Sequence, residues 1–317
     1  MAVASYYVAW INIHDIKNKT IDIKSTVSEF SYHKPYEVVY EMAPPEEAMS
    51  QLEVSATMNA ITLIDAEKQN THVKSWQKNA QPTSLKEGMS YIAIVIDDVG
   101  VVPDRSARSV RELPKAVTLA FLPYGEATGE LSAEASKLGH EIMIHLPMEP
   151  HLSSDGYVVN PGEGALYTSY PLEDISGLVE DNLKSLLPLA VGVNNHMGSK
   201  FTEWADGLAE VFKVIENKEL IFLDSITTAH SAAPKTVVDF DIPFLKRDVF
   251  LDHEIESSKI LKALEKTERI AKSKGYAIAI GHPHDETTDV IKLWVNSLKN
   301  KNIQLVPITA LIKENKK

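Results

Sequence analysis

The chain has 317 residues, 44% hydrophobic and 24% charged, a balance that excludes wholesale disorder and allows one large domain with an appendage. Asp and Glu outnumber Lys and Arg by 44 to 32, for a net charge of -12, and no basic segment stands apart, so nucleic acid is excluded as a partner on electrostatic grounds. With no cysteine there are neither disulfides nor thiolate metal sites, and any metal must be held by His, Asp and Glu.

In chain order, the stretch Met1 to Ile13 is apolar but lacks a basic leader, and His14-Asp15 ends it short of a membrane span. It reads as a strand or as the remnant of a truncated anchor giving weak membrane association; there is no recognisable signal peptide. Short β-like pieces such as Glu37-Val38-Val39-Tyr40 are then separated by Pro44-Pro45-Glu46-Glu47 and by a polar stretch from Glu67 to Gly88, the texture of an extended linker. Residues 1–88 are expected to form an N-terminal arm or accessory segment, partly linker, and residues 89–317 a separate domain.

From Tyr91 the texture changes. Ile92–Ile96 is a short β-branched run suited to a strand buried on both faces, and it stops at Asp97-Asp98-Val99-Gly100. Side chains alternate along a strand, so the two carboxylates should diverge, and Gly100 lets the chain turn away. Further apolar runs follow at Ala116–Leu122, Glu141–His145, Leu189–Val193, Leu220–Leu223, Pro243–Leu245, Tyr276–Ile280 and Gln304–Pro307. Between them lie amphipathic stretches at Ala127–Leu138, Leu172–Leu186, Ala205–Asn217, Glu256–Lys274 and Thr288–Lys299. Such alternation implies a parallel sheet with helices packed outside it, and seven or eight units suggest a barrel, complete or slightly broken.

In a barrel of this kind the chemistry collects at the C-terminal ends of the strands. Those ends carry Asp97-Asp98, then His145-Leu146-Pro147-Met148-Glu149, then Asn194-Asn195-His196-Met197-Gly198-Ser199. Asp224-Ser225, Arg247-Asp248 with Asp252 shortly after, and Gly281-His282-Pro283-His284-Asp285 follow. A lone strand-end His is more often structural than a ligand, but the convergence of His145, His196, His282 and His284 with several carboxylates is a signal. His140, at the other end of the His145 run, is read as structural. Imidazole and carboxylate suit a divalent metal, most simply zinc, with one position left open. Asp98, His145 and Glu149 can supply three ligands, the last two converging if the chain makes one turn between them. Asp97 suits a general base and His282, from the opposite wall, a leaving-group acid.

Taken together, Ile96-Asp97-Asp98, His145 to Pro150, Asn194 to Ser199, Phe222-Leu223-Asp224-Ser225 and Gly281-His282-Pro283-His284 resemble the divergent polysaccharide deacetylase family, related to NodB-type carbohydrate esterases. The resemblance runs from about Tyr91 to Ile312 and leaves residues 1–88 uncovered. It implies a distorted (β/α)7-8 barrel of the glycoside hydrolase/deacetylase type and a divalent metal, usually zinc, that serves removal of acetyl groups from sugars in the cell envelope or periplasm. By the same resemblance Asp97 matches the catalytic base, Asp98 a metal ligand, His145 the first His of a His-x-x-x-His pair and His282 the leaving-group acid. The second position of that pair is Glu149, whose extra negative charge would weaken a metal as Lewis acid. His196 falls where relatives carry an Arg-containing loop and is a substitute ligand or a substrate contact. Asn195, Asp224, Arg247 and His284 complete the set as substrate-binding residues, although Asp224 with Arg247 reads equally well as a buried structural pair. The leading expectation is a metal-dependent hydrolase acting on an acetylated polysaccharide or glycan. The alternatives are a non-catalytic envelope protein that binds a glycan or partner in the same pocket, and a hydrolase of amides or phosphoesters.

Overall fold

The computed structural model describes residues 73–312. The apolar start, the β-like pieces and the Pro44-Pro45 linker lie outside the described residues. Nine strands run through the rest: β1 (Ser90–Val99), β2 (Thr118–Phe121), β3 (Ile142–Met148), β4 (Ala190–Met197), β5 (Ile221–Asp224), β6 (Phe244–Lys246), β7 (Val249–Phe250), β8 (Tyr276–Gly281) and β9 (Ile303–Leu305). Every pairing is parallel, in the order β6-β5-β4-β3-β2-β1-β8-β7. The ninth strand pairs with the first three residues of β1, below the point where β2 joins it. The expected distorted β/α barrel is therefore what the chain forms.

Closure is made by one continuous segment. β6 pairs with β5 and β7 with β8, and only Arg247 and Asp248 separate them. The Arg247 amide still donates to the Asp224 carbonyl on one edge, while the Asp248 amide already donates to Ile278 on the other. A run of seven residues is thus split between two partners. The sequence reading found its first half as Pro243–Leu245 and missed the second.

Why these runs are strands follows from their two buried faces. In β1, Ile92, Ile94 and Ile96 pack outward into the core shared with the helices, and Ala93 and Val95 pack inward with Ala120, Met143, Val191 and Ile278. Both faces are dry, so the strands read as continuous hydrophobic runs rather than alternating ones. The outer layer is built from helices Pro103–Glu112, Thr128–Leu138, Leu172–Leu183, Ala205–Asn217, Ser257–Lys274 and Asp285–Ser297. Gly100 turns the chain after β1 with a positive φ of 104°, and an added Cβ there would meet Thr128 Oγ1 at 2.1 Å, so a larger residue is excluded on two counts.

The barrel floor is plugged from both directions along the chain. Trp76, on a short helix at Ser75–Asn79, packs into the inner core together with Ile308 from near the other end. The Asn79 side chain donates to the Ala190 carbonyl at 2.9 Å, and the Trp76 amide to Glu219 at 3.1 Å. Buried Glu141 accepts from the Gln81 amide at 3.0 Å, the Thr309 amide at 3.1 Å and the Thr309 hydroxyl. Residues 73–88 are thus fastened to the barrel pole remote from the strand ends. Trp76→Ala is expected to cost about 3 kcal/mol of stability through the cavity it leaves, read as a lower denaturation midpoint by circular dichroism.

Candidate metal centre

Alternation alone would send Asp97 inward, with Ala93 and Val95, and Asp98 outward. The protein turns both inward. Asp98 takes a left-handed backbone with φ of 57°, and the β1–β2 register slips between Ile96 and Val99. The expected divergence of the two carboxylates is undone by this bulge, at a cost on the order of 1 kcal/mol that a short polar side chain tolerates best. Bulges that re-aim a side chain are found beside active sites.

Asp98 meets two histidines. Its Oδ1 lies 3.2 Å from His145 Nε2 on β3 and 2.9 Å from His196 Nδ1 on β4, and the two imidazole nitrogens are 3.3 Å apart. The strands are in register there, with His145 opposite Asn194 and Pro147 opposite His196. One donor atom from each of the three residues falls within 4.8 Å of the others, and all three residues are buried. The contacts to Asp98 are short but lack hydrogen-bond alignment, so both of its oxygens are buried without an aligned donor. Burial alone would raise the Asp98 pKa, but His196 and His145 beside it hold it well below the ordinary carboxylate range. A buried, ionised carboxylate lacking aligned donors is costly unless a cation faces it. Two imidazoles, one carboxylate and an open side toward a cleft fit a catalytic divalent-metal site.

Glu149 does not join them, and this corrects the expected ligand set. Its Oε1 accepts from Lys200 Nζ at 2.7 Å, and its Oε2 from the Thr168 amide at 2.7 Å and hydroxyl at 2.6 Å. It faces a second cleft, with His151, Tyr167 and Lys200. The reason is geometric: β3 stays extended to Met148, so residues four apart are separated by about 13 Å rather than by one helical turn. His196, supplied by the neighbouring strand, stands where Glu149 was expected.

Around the histidines lie two further pairs. The Asn194 side-chain amide donates to both Asp97 oxygens, at 2.9 and 3.0 Å, and Asp97 Oδ2 is 3.5 Å from His145 Nε2. Burial raises the Asp97 pKa above the usual carboxylate value, with His145 and His282 opposing it only in part. Across the cleft, His282 Nδ1 lies 3.0 Å from Asp252 Oδ1. The Asp252 Oδ2 atom accepts from the His282 amide at 2.6 Å and from the Thr287 hydroxyl at 2.7 Å. Burial would depress the His282 pKa, but Asp252 overrides it and the net shift is upward. Asp252, whose own pKa is lowered by the same pair against the effect of burial, had been noted at a strand end without a role. Asn194 and Asp252 are the two residues that sequence reasoning passed over. Asn194 shares the parity of His196 on its strand, and that signal was available.

The remaining expected residues divide. Asn195 and Arg247 line the cleft that also holds Asp97, Asp98, His145, His196 and His282. Asn195 also braces the loop after β5, accepting from the Ser225 amide at 2.9 Å and donating to the Met197 carbonyl at 2.8 Å. Asp224 and His284 do not line the cleft. Asp224 accepts from the Ile226 amide at 2.9 Å and the Ser231 hydroxyl at 2.7 Å, holding the 224–231 turn, because the last residue of β5 points away from the barrel axis into that turn. His284 stands with an extended backbone at the N-cap of helix Asp285–Ser297, two residues past His282, and is not among the residues lining the cleft. His140 is structural, its ring nitrogens 2.8 Å from the Val117 carbonyl and 3.1 Å from that of Val110.

The family model for divergent polysaccharide deacetylases matches residues 94–312. The chain belongs to that family. Among similar sequences, uncharacterized protein YibQ of Escherichia coli K12 is 34% identical over 223 residues, 70% of this chain and 67% of that one. An uncharacterized protein of Haemophilus influenzae is 31% identical over 243 residues, 75% of this chain and 84% of its own length. Among solved structures, uncharacterized protein ATU2773 from Agrobacterium tumefaciens C58 superposes with a TM-score of 0.71 at 28% identity, covering 76% of this chain and 96% of that one. The family match spans every strand end that feeds the cleft, from Asp97 to His282.

Proposed function

We propose that the protein is a metal-dependent hydrolase of the carbohydrate-deacetylase type, removing acetyl groups from a polysaccharide or glycan of the cell envelope. The observation that carries this reading is the buried Asp98–His145–His196 group facing one cleft with two differently tuned side chains, Asp97 and His282. Family membership supports the glycan substrate class and an envelope or periplasmic location. Residues 89–317 are then the catalytic barrel, and the segment before them an arm whose end braces its floor. A non-catalytic glycan-binding protein would be favoured by a metal weakened through Glu149, but that carboxylate is bound by Lys200 and Thr168 instead.

Asp98, His145 and His196 would hold the ion, and zinc suits the donor set best. When bound, a divalent ion supplies Lewis acidity toward the acyl carbonyl and acidifies water. Asp97, its proton affinity raised by burial, accepts the proton from the water that adds to the acyl carbon. Asn194 keeps that carboxylate turned toward the cleft. His282, held by Asp252 through Nδ1 and with its proton affinity raised by it, gives its proton to the leaving nitrogen or oxygen as the acyl bond breaks. The products are acetate and a free amine or hydroxyl, and the two proton transfers balance.

Acetate release from acetylated chito-oligomers, xylan and peptidoglycan fragments by zinc-loaded protein tests the reading, and no release from any of them overturns it. The tuning of His282 gives a second test. Its folded pKa is raised, so the acid form persists above the ordinary histidine value, and the basic limb of the pH–rate profile should lie above about 6.5. In Asp252→Asn burial is opposed only by the lesser pull of Asp98 and Asp97, so that limb should move to lower pH, with kcat falling more than KM rises. An unmoved limb would remove His282 from the acid role.

A further inference from the structure

The cleft that holds the metal donors is also lined by Arg247, a cation where the reaction described above needs none. Arg247 sits at the point where the closing strand leaves β5 for β8, so its side chain is set by backbone on both edges of the barrel. It is 7% exposed. Its Nε donates to the Ser225 carbonyl at 2.6 Å and its Nη2 to the Ile226 carbonyl at 2.7 Å, and its guanidinium carbon lies 5.2 Å from the Phe250 ring centre. Burial lowers its pKa to about 10, which leaves it charged at neutral pH.

What it lacks is an anion. Among the described residues no carboxylate lies within ion-pair distance of the guanidinium, although Asp224 and Asp97 act on it through space. Both Asp224 oxygens are engaged in the turn that Asp224 holds. The third nitrogen, Nη1, has no hydrogen-bond partner among the described residues, and it is not sealed from solvent. The cleft that Arg247 lines is also lined by Ser225 and Thr227, and Arg247 Nε bonds the Ser225 carbonyl itself. A buried cation with no carboxylate in direct contact is expensive to fold, and its two carbonyl bonds could have been made by a neutral donor.

We propose that this part of the cleft receives a carboxylate carried by the substrate, so that the glycan is an acidic sugar polymer with an acetyl group and a carboxylate on the same or adjoining rings. The inference rests on the deacetylase reading for its acetyl group but not for its carboxylate. One guanidinium nitrogen beside the Ser225 hydroxyl, which accepts from Asn194 and keeps its own proton to give, offsets a single negative charge, while the Thr227 hydroxyl is committed to the Met197 carbonyl. A dianionic phosphate would meet Asp97 and Asp98 in the same cleft with too few donors to compensate, which favours the carboxylate. Charge-assisted hydrogen bonds of this kind are stronger than neutral ones and fix orientation as well.

The test compares two acetamido sugars that differ by one carboxylate-bearing ether, N-acetylmuramic acid and N-acetylglucosamine, by calorimetry on the full chain, zinc-loaded and after chelation. The wild-type protein should bind the carboxylate member at least about tenfold more tightly in both states, and Arg247→Met should bring the ratio of the two Kd values to near unity. Equal binding of the pair by the wild type overturns the proposal without reference to any variant. A preference that vanishes on chelation and survives Arg247→Met is ligation by the metal, and also overturns it. Preference without acetate release keeps this inference and sinks the deacetylase reading; acetate release with no preference does the reverse.

Discussion

Asp97→Asn is expected to lower acetate release by at least about a hundredfold while leaving metal content within a few per cent of wild type. The asparagine keeps the shape and one of the two contacts that the Asn194 amide makes to Asp97, so the fold should stand, and thermal unfolding checks this. What it loses is the proton acceptor, whose affinity for a proton is raised by burial. Asp97 is not one of the three convergent donors, although its Oδ2 is 3.5 Å from His145 Nε2. Metal measured by plasma emission and turnover measured on the same sample separate the two roles. A variant that turns over at the wild-type rate would take the base role from Asp97.

The second large effect separates His196 from Glu149. His196→Ala removes one of three donors and is expected to weaken zinc binding by a hundredfold or more, since even outer-shell changes cost about 10–100-fold. Glu149→Gln should leave zinc affinity within about threefold, because that carboxylate is committed to Lys200 and Thr168 and faces a different cleft. Zinc titration against a chelating dye measures both. The reverse pattern, loss with Glu149→Gln and none with His196→Ala, would restore the arrangement that spacing alone suggested.

Much of the barrel was legible because strands buried on both faces leave unbroken apolar runs, and β1, β3, β4 and β8 fall where such runs stand. Its closure was not, because the segment from Phe244 to Phe250 divides its pairing between two strands, and neither half is long enough to make a pattern. At the site, the strand-end rule found His145, His196 and His282 with both aspartates, since only residue type and position matter to it. Two inferences from local geometry failed for identifiable reasons. Alternation predicted that Asp97 and Asp98 part, and a left-handed residue at Asp98 defeats alternation. The i, i+4 spacing of His145 and Glu149 assumed a turn, and Pro147 lies within β3, whose extended backbone proline allows. His196, which stands beside Asp98 where Glu149 was expected, lies 51 residues after His145, joined to it by strand register rather than by sequence spacing. The partnership of Asp252 with His282 is likewise tertiary, and no local pattern announces it; for Asn194, strand parity with His196 gives the face but not the partner, Asp97.

The most direct test is an anomalous-difference map from crystals of the full chain soaked in zinc, with data on both sides of the zinc edge. The account predicts one strong peak in the cleft, within bonding distance of Asp98, His145 Nε2 and His196 Nδ1 and with a side open toward Asp97 and His282. No peak in that cleft, or a peak bound by Glu149 in place of His196, would contradict it.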